Sequence, residues 1–148
     1  MISRGEGETL EFKRGVPPAR DLAEDVVCLA NWKGGQILLG VTNDGKITGC
    51  VDYDIDAIKR GIFDATDPHL VVEIKAVETP RGKVLVLEVP RSPVVHSTTA
   101  GRYLRRAGKE CKPISPGELP GILVRKGQLD YSAEIIPGAS PGDLGERN

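Results

Sequence analysis

Two valine-rich segments joined by a short turn constrain the fold of this chain more than any other feature. Residues 70–77 and 83–89 are each long enough for a β-strand, and both are rich in valine, which favours strands. Thr79-Pro80-Arg81-Gly82 links them, with proline and glycine where a tight turn requires them. The sequence therefore predicts an antiparallel β-hairpin.

Apolar periodicity predicts the other helices and strands. Apolar residues recur every three or four positions in residues 20–31 and 54–65, which predicts two helices. A capping box at residues 115–118 predicts a third helix that ends at Gly127. We therefore expect an α+β fold, a mixed, largely antiparallel β-sheet with about three helices packed on it. Further strands are predicted at residues 9–13, 36–41, 46–49, 102–106 and 110–114.

Length and composition indicate one folded domain with a short tail. The chain has 148 residues, of which 39% are hydrophobic and 28% charged, as in folded globular proteins. Residues 1–127 contain all predicted elements and form the expected domain. Residues 128–148 contain two prolines and three glycines, so we expect a linker or the start of a downstream region. The chain has no long apolar run and no apolar secretory signal, so we expect a cytoplasmic protein without a membrane partner.

Several kinds of site are not supported by the sequence. Cys28, Cys50 and Cys111 are far apart and no C-x-x-C pair occurs, which argues against zinc and against a disulfide framework. Cys28 lies on the apolar side of the first predicted helix, which indicates a core position. The chain contains neither a phosphate-binding loop of the P-loop type nor a serine nucleophile motif. His69 and His96 have no second ligand nearby in sequence, so we expect them to form hydrogen bonds rather than bind metal.

Basic residues cluster within an otherwise balanced distribution of charge. The net charge of the whole chain is −1, but residues 128–148 carry a net of −3, which leaves +2 on residues 1–127. Five basic residues crowd into positions 102–112 beside one acid, Glu110. This cluster is either a solvated hairpin face or a surface that binds an anion, since screening limits the reach of a charge to about 8–10 Å.

Three segments taken together resemble a known family. They are residues 6–13 (EGETLEFK), residues 29–41 (LANWKGGQILLGV) with the turn and glycine that follow at 43–49, and residues 101–108 (GRYLRRAG). In this order and spacing they resemble the Schlafen/AlbA_2 DNA-binding domain family. The resemblance implies a nucleic-acid-binding domain of a transcriptional-regulator-like or helicase-related protein. It also implies downstream domains in a longer parent chain, joined through residues 130–139.

The resemblance and the basic cluster together indicate which residues contact DNA or RNA. Phosphate contacts of this kind position a protein without reading base sequence. Asn31, Gly34 and Gly35 either end a helix and permit tight entry into a strand, or form a backbone surface close to phosphate. Trp32 is either a core residue, which we favour, or a platform on which a base stacks. The side chains expected to contact nucleic acid are Lys13, Arg14, Arg102, Tyr103, Arg105, Arg106 and Lys109.

Two alternatives to a binding domain remain open. Some Schlafen relatives cut tRNA with three carboxylates, and the matching residues here are Glu6, Glu11 and Asp44. Such a cluster would bind Mg²⁺ or Mn²⁺ and activate water, and outside this alternative we expect no metal or cofactor. We favour a surface strand position for Glu11, paired with Lys13, and a turn position for Asp44, and hence a binding domain rather than an enzyme. The other alternative is a regulatory module that forms a homo-oligomer through exposed sheet edges.

Overall fold

The structure is a computed structural model that describes residues 5–127. It divides into two compact units, of which the larger contains residues 5–92 and 96–114 and the smaller contains residues 93–95 and 115–127. The described elements are, in chain order, β1 (Leu10–Lys13), α1 (Ala19–Ala30), β2 (Gly35–Leu39), α2 (Ile55–Asp64), β3 (Thr66–Asp67), β4 (Glu73–Thr79), β5 (Gly82–Val89), β6 (Ser97–Thr98), β7 (Leu104–Ala107), β8 (Glu110–Pro113) and α3 (Leu119–Arg125).

Four strands form the central sheet, in the order β1-β2-β5-β4. β1 and β2 run parallel, whereas β5 is antiparallel to both β2 and β4. β4 and β5 are the hairpin predicted from the valine-rich segments. β5 is mostly buried because it has a strand on each side, and β4 is mostly exposed because it forms an edge of the sheet.

Both faces of the central sheet carry apolar clusters. Alternation along β2 places Ile37 and Leu39 on one face and Leu38 on the other. On the first face they pack in the main core with the apolar sides of α1 and α2. On the second face Leu38 belongs to a smaller cluster, whose other buried members are Leu10, Phe12, Val41, Val84 and Val86.

The fold class predicted from the sequence is confirmed, and three details differ. The return strand expected at residues 46–49 is wrong: only an isolated bridge joins Val41 to Ile47, and Gly49 adopts a positive φ of 80° that interrupts an extended strand. The β3–β6 pair was not predicted, because a two-residue strand is too short to show a periodic pattern. The edge strand begins at Glu73, three residues later than expected.

The capping box expected before α3 is partly formed within the smaller unit. The Glu118 side chain accepts a hydrogen bond from the Ser115 backbone N–H at 2.9 Å, which is the reach-back half of that motif. The helix itself begins at Leu119, later than the motif predicts. Over residues 5–127, no helix is long and apolar enough to cross a membrane.

A disulfide joins Cys28 of α1 to Cys111 of β8, and the two Cα atoms are 5.8 Å apart. The expectation that the chain has no disulfide is therefore wrong. The two cysteines are 83 positions apart, so only the packing of the β7–β8 hairpin against α1 brings them together. Cys28 is nevertheless fully buried in the core, as predicted, and the remaining cysteine, Cys50, is buried.

Candidate nucleic-acid interface

The β7–β8 hairpin has an inner face that is buried and an outer face that carries positive charge. Strand alternation buries Leu104 and Arg106, whereas Arg105 is only half-buried. In the ladder, Arg105 lies directly opposite Lys112, and Arg106 lies opposite Cys111. Arg105 and Lys112 therefore share the outer face, which we call the basic face, with Lys109 exposed at the adjoining turn.

Trp32, just after α1, extends the basic face with an aromatic ring. The Arg105 guanidinium carbon lies 4.9 Å from the centroid of the Trp32 ring, a cation–π contact. The indole N–H of Trp32 donates to Glu8 Oε2 at 3.1 Å, and Lys33 Nζ pairs with the other oxygen of Glu8 at 2.7 Å. The Lys33 and Trp32 hydrogen bonds lower the pKa of Glu8. Trp32 is half-buried, so it is neither the full core residue that the sequence favoured nor a freely exposed platform.

Arg106 holds the inner face of the hairpin to the N-terminal segment. Its side chain is 1% exposed, and Nη1 lies 2.6 Å from Glu11 Oε1. Nε donates to the Gly7 carbonyl oxygen at 3.0 Å, and Nη2 donates to the Leu10 carbonyl oxygen at 3.1 Å. The expectation that Arg106 binds phosphate is therefore at odds with the structure, because its guanidinium is buried and fully directed at protein acceptors.

Glu11 lies in a buried network of charges beneath the hairpin. Lys13 Nζ is 3.6 Å from Glu11 and 3.2 Å from Asp25 of α1, so one ammonium group bridges two carboxylates. Burial, and then the charge of Asp25, raise the pKa of Glu11 to about 7, although Arg106 acts in the opposite direction. Burial likewise raises the pKa of Asp25.

Lys13 is held by this network rather than presented to solvent. Burial alone would lower its pKa, but the Asp25 and Glu11 carboxylates raise it overall. Its pairing with Glu11 was predicted, but Glu11 is buried rather than on the surface. Lys13 also lines a cleft of about 300 Å³ with Arg102 and three carboxylates, which are Asp21, Glu24 and Asp25. Acids outnumber bases in this cleft, so it is a poor site for phosphate.

The three carboxylates of the nuclease alternative do not assemble. Glu6 lies beside Glu11 and accepts a hydrogen bond from the Phe12 backbone N–H at 2.9 Å. Asp44 is exposed in the turn after β2, where it accepts a hydrogen bond from the Thr42 hydroxyl that lowers the pKa of Asp44. Within residues 5–127, no group of three or more His, Cys, Asp and Glu side chains could hold a metal ion.

The remaining predicted contacts are on the surface. Arg102 is half-exposed and pairs with Glu24 of α1 at 2.8 Å, so part of its charge is already neutralised. Tyr103 is 50% exposed, and Arg14 is exposed at the end of β1. Arg102 and Tyr103 directly precede the hairpin in sequence, whereas Arg14 follows β1, and none of the three is in the hairpin ladder.

Asn31, Gly34 and Gly35 have structural roles. The buried Asn31 side-chain amide donates to the carbonyl oxygens of His96 and Leu104, and its oxygen accepts from the His96 N–H at 2.8 Å. A Cβ atom on Gly34 would lie 2.6 Å from the Arg91 backbone nitrogen, and one on Gly35 would collide with the Thr9 backbone. The glycines therefore permit close approach of the chain's own backbone rather than of phosphate.

Asp25 and His96 are buried polar residues, whereas His69 is exposed. The sequence patterns did not identify Asp25 as part of the buried network of charges. Asp25 lies one turn from Leu22 and Leu29 on the apolar side of α1, and an acid in such a position signals a buried partner. Each histidine forms hydrogen bonds, as predicted: His69 Nδ1 lies 2.6 Å from the Phe63 carbonyl oxygen, and His96 Nε2 lies 2.7 Å from Ser92 Oγ.

Comparison with known proteins identifies the family. The family model described as Schlafen, AlbA_2 matches residues 6–115, which is most of the chain. The chain belongs to the Schlafen AlbA_2 family. The match covers the N-terminal segment, the Gly34-Gly35 region and the β7–β8 hairpin, which are the three segments that carried the resemblance in the sequence. No curated protein sequence matches the chain.

Two solved structures are similar to this AlbA_2 domain. The DIP2311 protein from Corynebacterium diphtheriae is 26% identical with a TM-score of 0.69, and the match covers 80% of this chain and 27% of that one. The chain thus spans about a quarter of the length of that protein. The N-terminal domain of a Nitrosomonas europaea protein, described as related to the ATP-dependent DNA helicase RecG, is 23% identical with a TM-score of 0.48. That match covers 71% of this chain and 82% of the other.

Proposed function

We propose that this AlbA_2 domain binds nucleic acid through the phosphates that contact its basic face. The observation that carries the proposal is the cross-strand pair of Arg105 and Lys112 on the outer side of a hairpin. Strand pairing places the two cations side by side on one face, where a phosphate group can contact both. Lys112 is 3.5 Å from Glu110, but both side chains are exposed, so this ion pair is weak.

The neighbouring side chains suit an extended polyanion. Lys109 at the turn adds a third cation beyond Arg105 and Lys112, and the exposed Arg102 and Tyr103 directly precede the hairpin. Arg14, exposed at the end of β1, is a further candidate contact. Trp32 positions Arg105 through the cation–π contact, and its half-exposed ring offers apolar area to a sugar or base. Such cations position a protein on the phosphate backbone of a nucleic acid and give little preference for base sequence. DNA and structured RNA therefore both fit the proposal.

The proposal extends to the parent protein. We infer that the domain positions a longer transcriptional-regulator-like or helicase-related protein on DNA, with other activities in its downstream domains. The length of the Corynebacterium diphtheriae protein, of which the match covers 27%, supports a multidomain setting. Because the proposed ligand is cellular nucleic acid, we propose that the parent protein is located in the cytoplasm. Because no three-acid group is assembled in residues 5–127, we favour binding over metal-dependent cleavage.

The proposal is tested by fluorescence anisotropy of labelled duplex DNA and structured RNA at about 50 and 200 mM salt, the range in which phosphate contacts are revealed. The wild-type chain is expected to bind both probes, and its affinity is expected to decrease as the salt concentration rises. In the Arg105→Ala/Lys112→Ala variant, the slope of log affinity against log salt should become shallower by about 0.7–0.9 for each phosphate contact removed. Its matched control is Arg60→Ala/Arg81→Ala, which removes two exposed cations from α2 and from the β4–β5 turn.

Two outcomes contradict the proposal. One is no binding of either probe by the wild type at the lower salt concentration. The other is an equal loss of affinity in the two double variants, since that would reflect net charge alone rather than the basic face. A circular dichroism spectrum and a thermal melt of each variant establish that the domain is folded.

A further inference from the structure

β4 leaves one side of the central sheet open. Its seven residues pair with β5 on one side, and within residues 5–127 no other strand or isolated bridge pairs with its outer side. An edge strand presents a row of backbone N–H and C=O groups to which another strand can add. Within its span β4 has no proline, and its ladder with β5 is continuous from Glu73 to Thr79. Its charged side chains, Glu73, Lys75 and Glu78, restrict addition to a strand of complementary charge.

The exposed side chains of β4 are not those of a simple solvated edge. Val77 is 45% exposed, and Val71, two residues before the strand, is 64% exposed. Between them, on the same face by alternation, lie Glu73 and Lys75. Neither forms an ion pair with another side chain of the described residues, and Glu73 lies directly opposite a like charge, Glu88 of β5. Glu88 accepts a hydrogen bond from the Gln36 side chain at 2.7 Å, and Lys75 lies two residues along β4 from Glu73. Within residues 5–127, no cation lies directly opposite Glu73 on the open side of β4, where it would stabilise this acid most.

A second copy of this chain would supply that cation. Two copies of β4 that meet antiparallel about a twofold axis must pair residues of the same face, so only a few registers are open. With the axis at Ile74, Glu73 of each copy lies opposite Lys75 of the other, which forms two cross-strand pairs of opposite charge. Within both strands this register pairs residues 73–75, and it places Val71, which precedes β4, opposite Val77 twice. With the axis at Lys75, the two ammonium groups would oppose each other, which is unfavourable.

We propose that this chain forms a homodimer by antiparallel pairing of its β4 edges about a twofold axis at Ile74. The central sheets of the two copies then form one eight-stranded sheet. The β7–β8 hairpin belongs to a different sheet, so dimer formation does not use the strands that carry the basic face. The inference stands independently of nucleic-acid binding.

Sedimentation velocity of the whole chain, treated with nuclease, tests the proposal over about 10 µM to about 1 mM, where weak self-association is measurable. Wild type should shift from monomer to dimer as concentration rises. Lys75→Glu and Glu73→Lys should each weaken dimerisation roughly tenfold or more, because each variant replaces two favourable cross-strand pairs with two like-charged pairs. Glu78→Lys is the matched control, since Glu78 is exposed on the same strand but faces the other side of the sheet.

The decisive experiment mixes the Lys75→Glu and Glu73→Lys variants. Lys75→Glu carries two acids on this face and Glu73→Lys carries two bases, so the mixture should form a heterodimer although neither variant associates well alone. The double variant Glu73→Lys/Lys75→Glu should dimerise about as well as the wild type. A wild type that remains monomeric at the highest concentration overturns the proposal. Equal association of all variants, or no association in the mixture, overturns the proposed register.

Discussion

The two hairpins of this AlbA_2 domain are held in the molecule in opposite ways. β4–β5 is part of the central sheet, because β5 also pairs with β2 through backbone hydrogen bonds. β7–β8 pairs with no other described strand and is attached by side chains. The side chains are those of Arg106, which reaches the N-terminal segment, Asn31, which holds the Leu104 carbonyl, and Cys111, which is bonded to α1.

The difference has consequences for charge. On β4 the neighbouring charges on one face alternate in sign, Glu73 then Lys75, which is a pattern that a second copy of itself can match. On β7–β8 the facing charges, Arg105 and Lys112, have the same sign, which a polyanion can match. The inner side chains hold the β7–β8 hairpin in place, and each of these attachments can be removed by a single substitution.

The largest expected effect is the loss of the Arg106 attachment. Arg106→Ala would leave Glu11 buried without its partner and two backbone carbonyls without donors. Breaking a buried ion pair in this way costs about 3–5 kcal/mol of stability, measured by urea unfolding. Arg105→Ala, one position earlier on the outer face, should cost about 1 kcal/mol or less. Equal losses for the two variants would contradict the assignment of inner and outer faces.

Reduction of the disulfide should have the next largest effect. The Cys28–Cys111 bond closes a long loop, and loss of such a bond typically lowers the free energy of unfolding by about 2–4 kcal/mol. Urea unfolding with and without dithiothreitol measures this loss. A Cys111→Ser variant should be insensitive to the reductant. If alkylation and mass spectrometry of the non-reduced protein detect three free thiols, the disulfide is contradicted.

The buried charges beneath the hairpin should give a smaller, pH-dependent effect. The pKa of Glu11 is about 7 when folded, above its ordinary value of 4.5, so the folded state binds the extra proton between these values. Stability should therefore fall as pH rises through this window, by about 1 kcal/mol per pH unit or less, since one full proton gives about 1.4. The raised pKa of Asp25 acts in the same direction.

A Glu11→Gln variant separates this effect from general acid sensitivity. The variant should be less stable overall, because Arg106 loses its charged partner, but its stability should change less between pH 5 and pH 7 than that of the wild type. An Arg81→Ala variant, changed in the β4–β5 turn, should keep the wild-type dependence. A wild type that becomes more stable as pH rises across the window would contradict the assignment.

Local patterns in the sequence predicted the β4–β5 hairpin, α1 and the fold class, because each depends on periodicity within a few residues. The alternation that predicted a strand at 102–106 also places Arg106 on the same face as Leu104, so its burial was readable from the sequence. The pairing of Cys28 with Cys111 was not, since it depends on tertiary packing across 83 positions. The Glu11–Asp25–Lys13 network likewise joins residues of β1 and α1 that no motif links.

The predicted boundary at residue 127 stays a prediction, because residues 128–148, including the proposed join at 130–139, lie outside the described residues. The candidate contacts fall into two groups that the sequence alone did not separate. Arg105, Lys109 and Tyr103 are accessible, whereas Lys13 and Arg106 are held by carboxylates. Tertiary structure made that separation, because a charge cluster in sequence does not show which members are already neutralised.

The most direct test of the account is a two-dimensional NMR titration of the ¹⁵N-labelled chain with duplex DNA. Trp32 is the only tryptophan, so its indole N–H gives one resonance that reports on the stacked Arg105. We expect this resonance and the amide resonances of residues 104–113 to shift with DNA, while those of β4 and β5 stay in place. Shifts confined to β4 and β5, or no shift of the Trp32 indole at saturating DNA, would contradict the account.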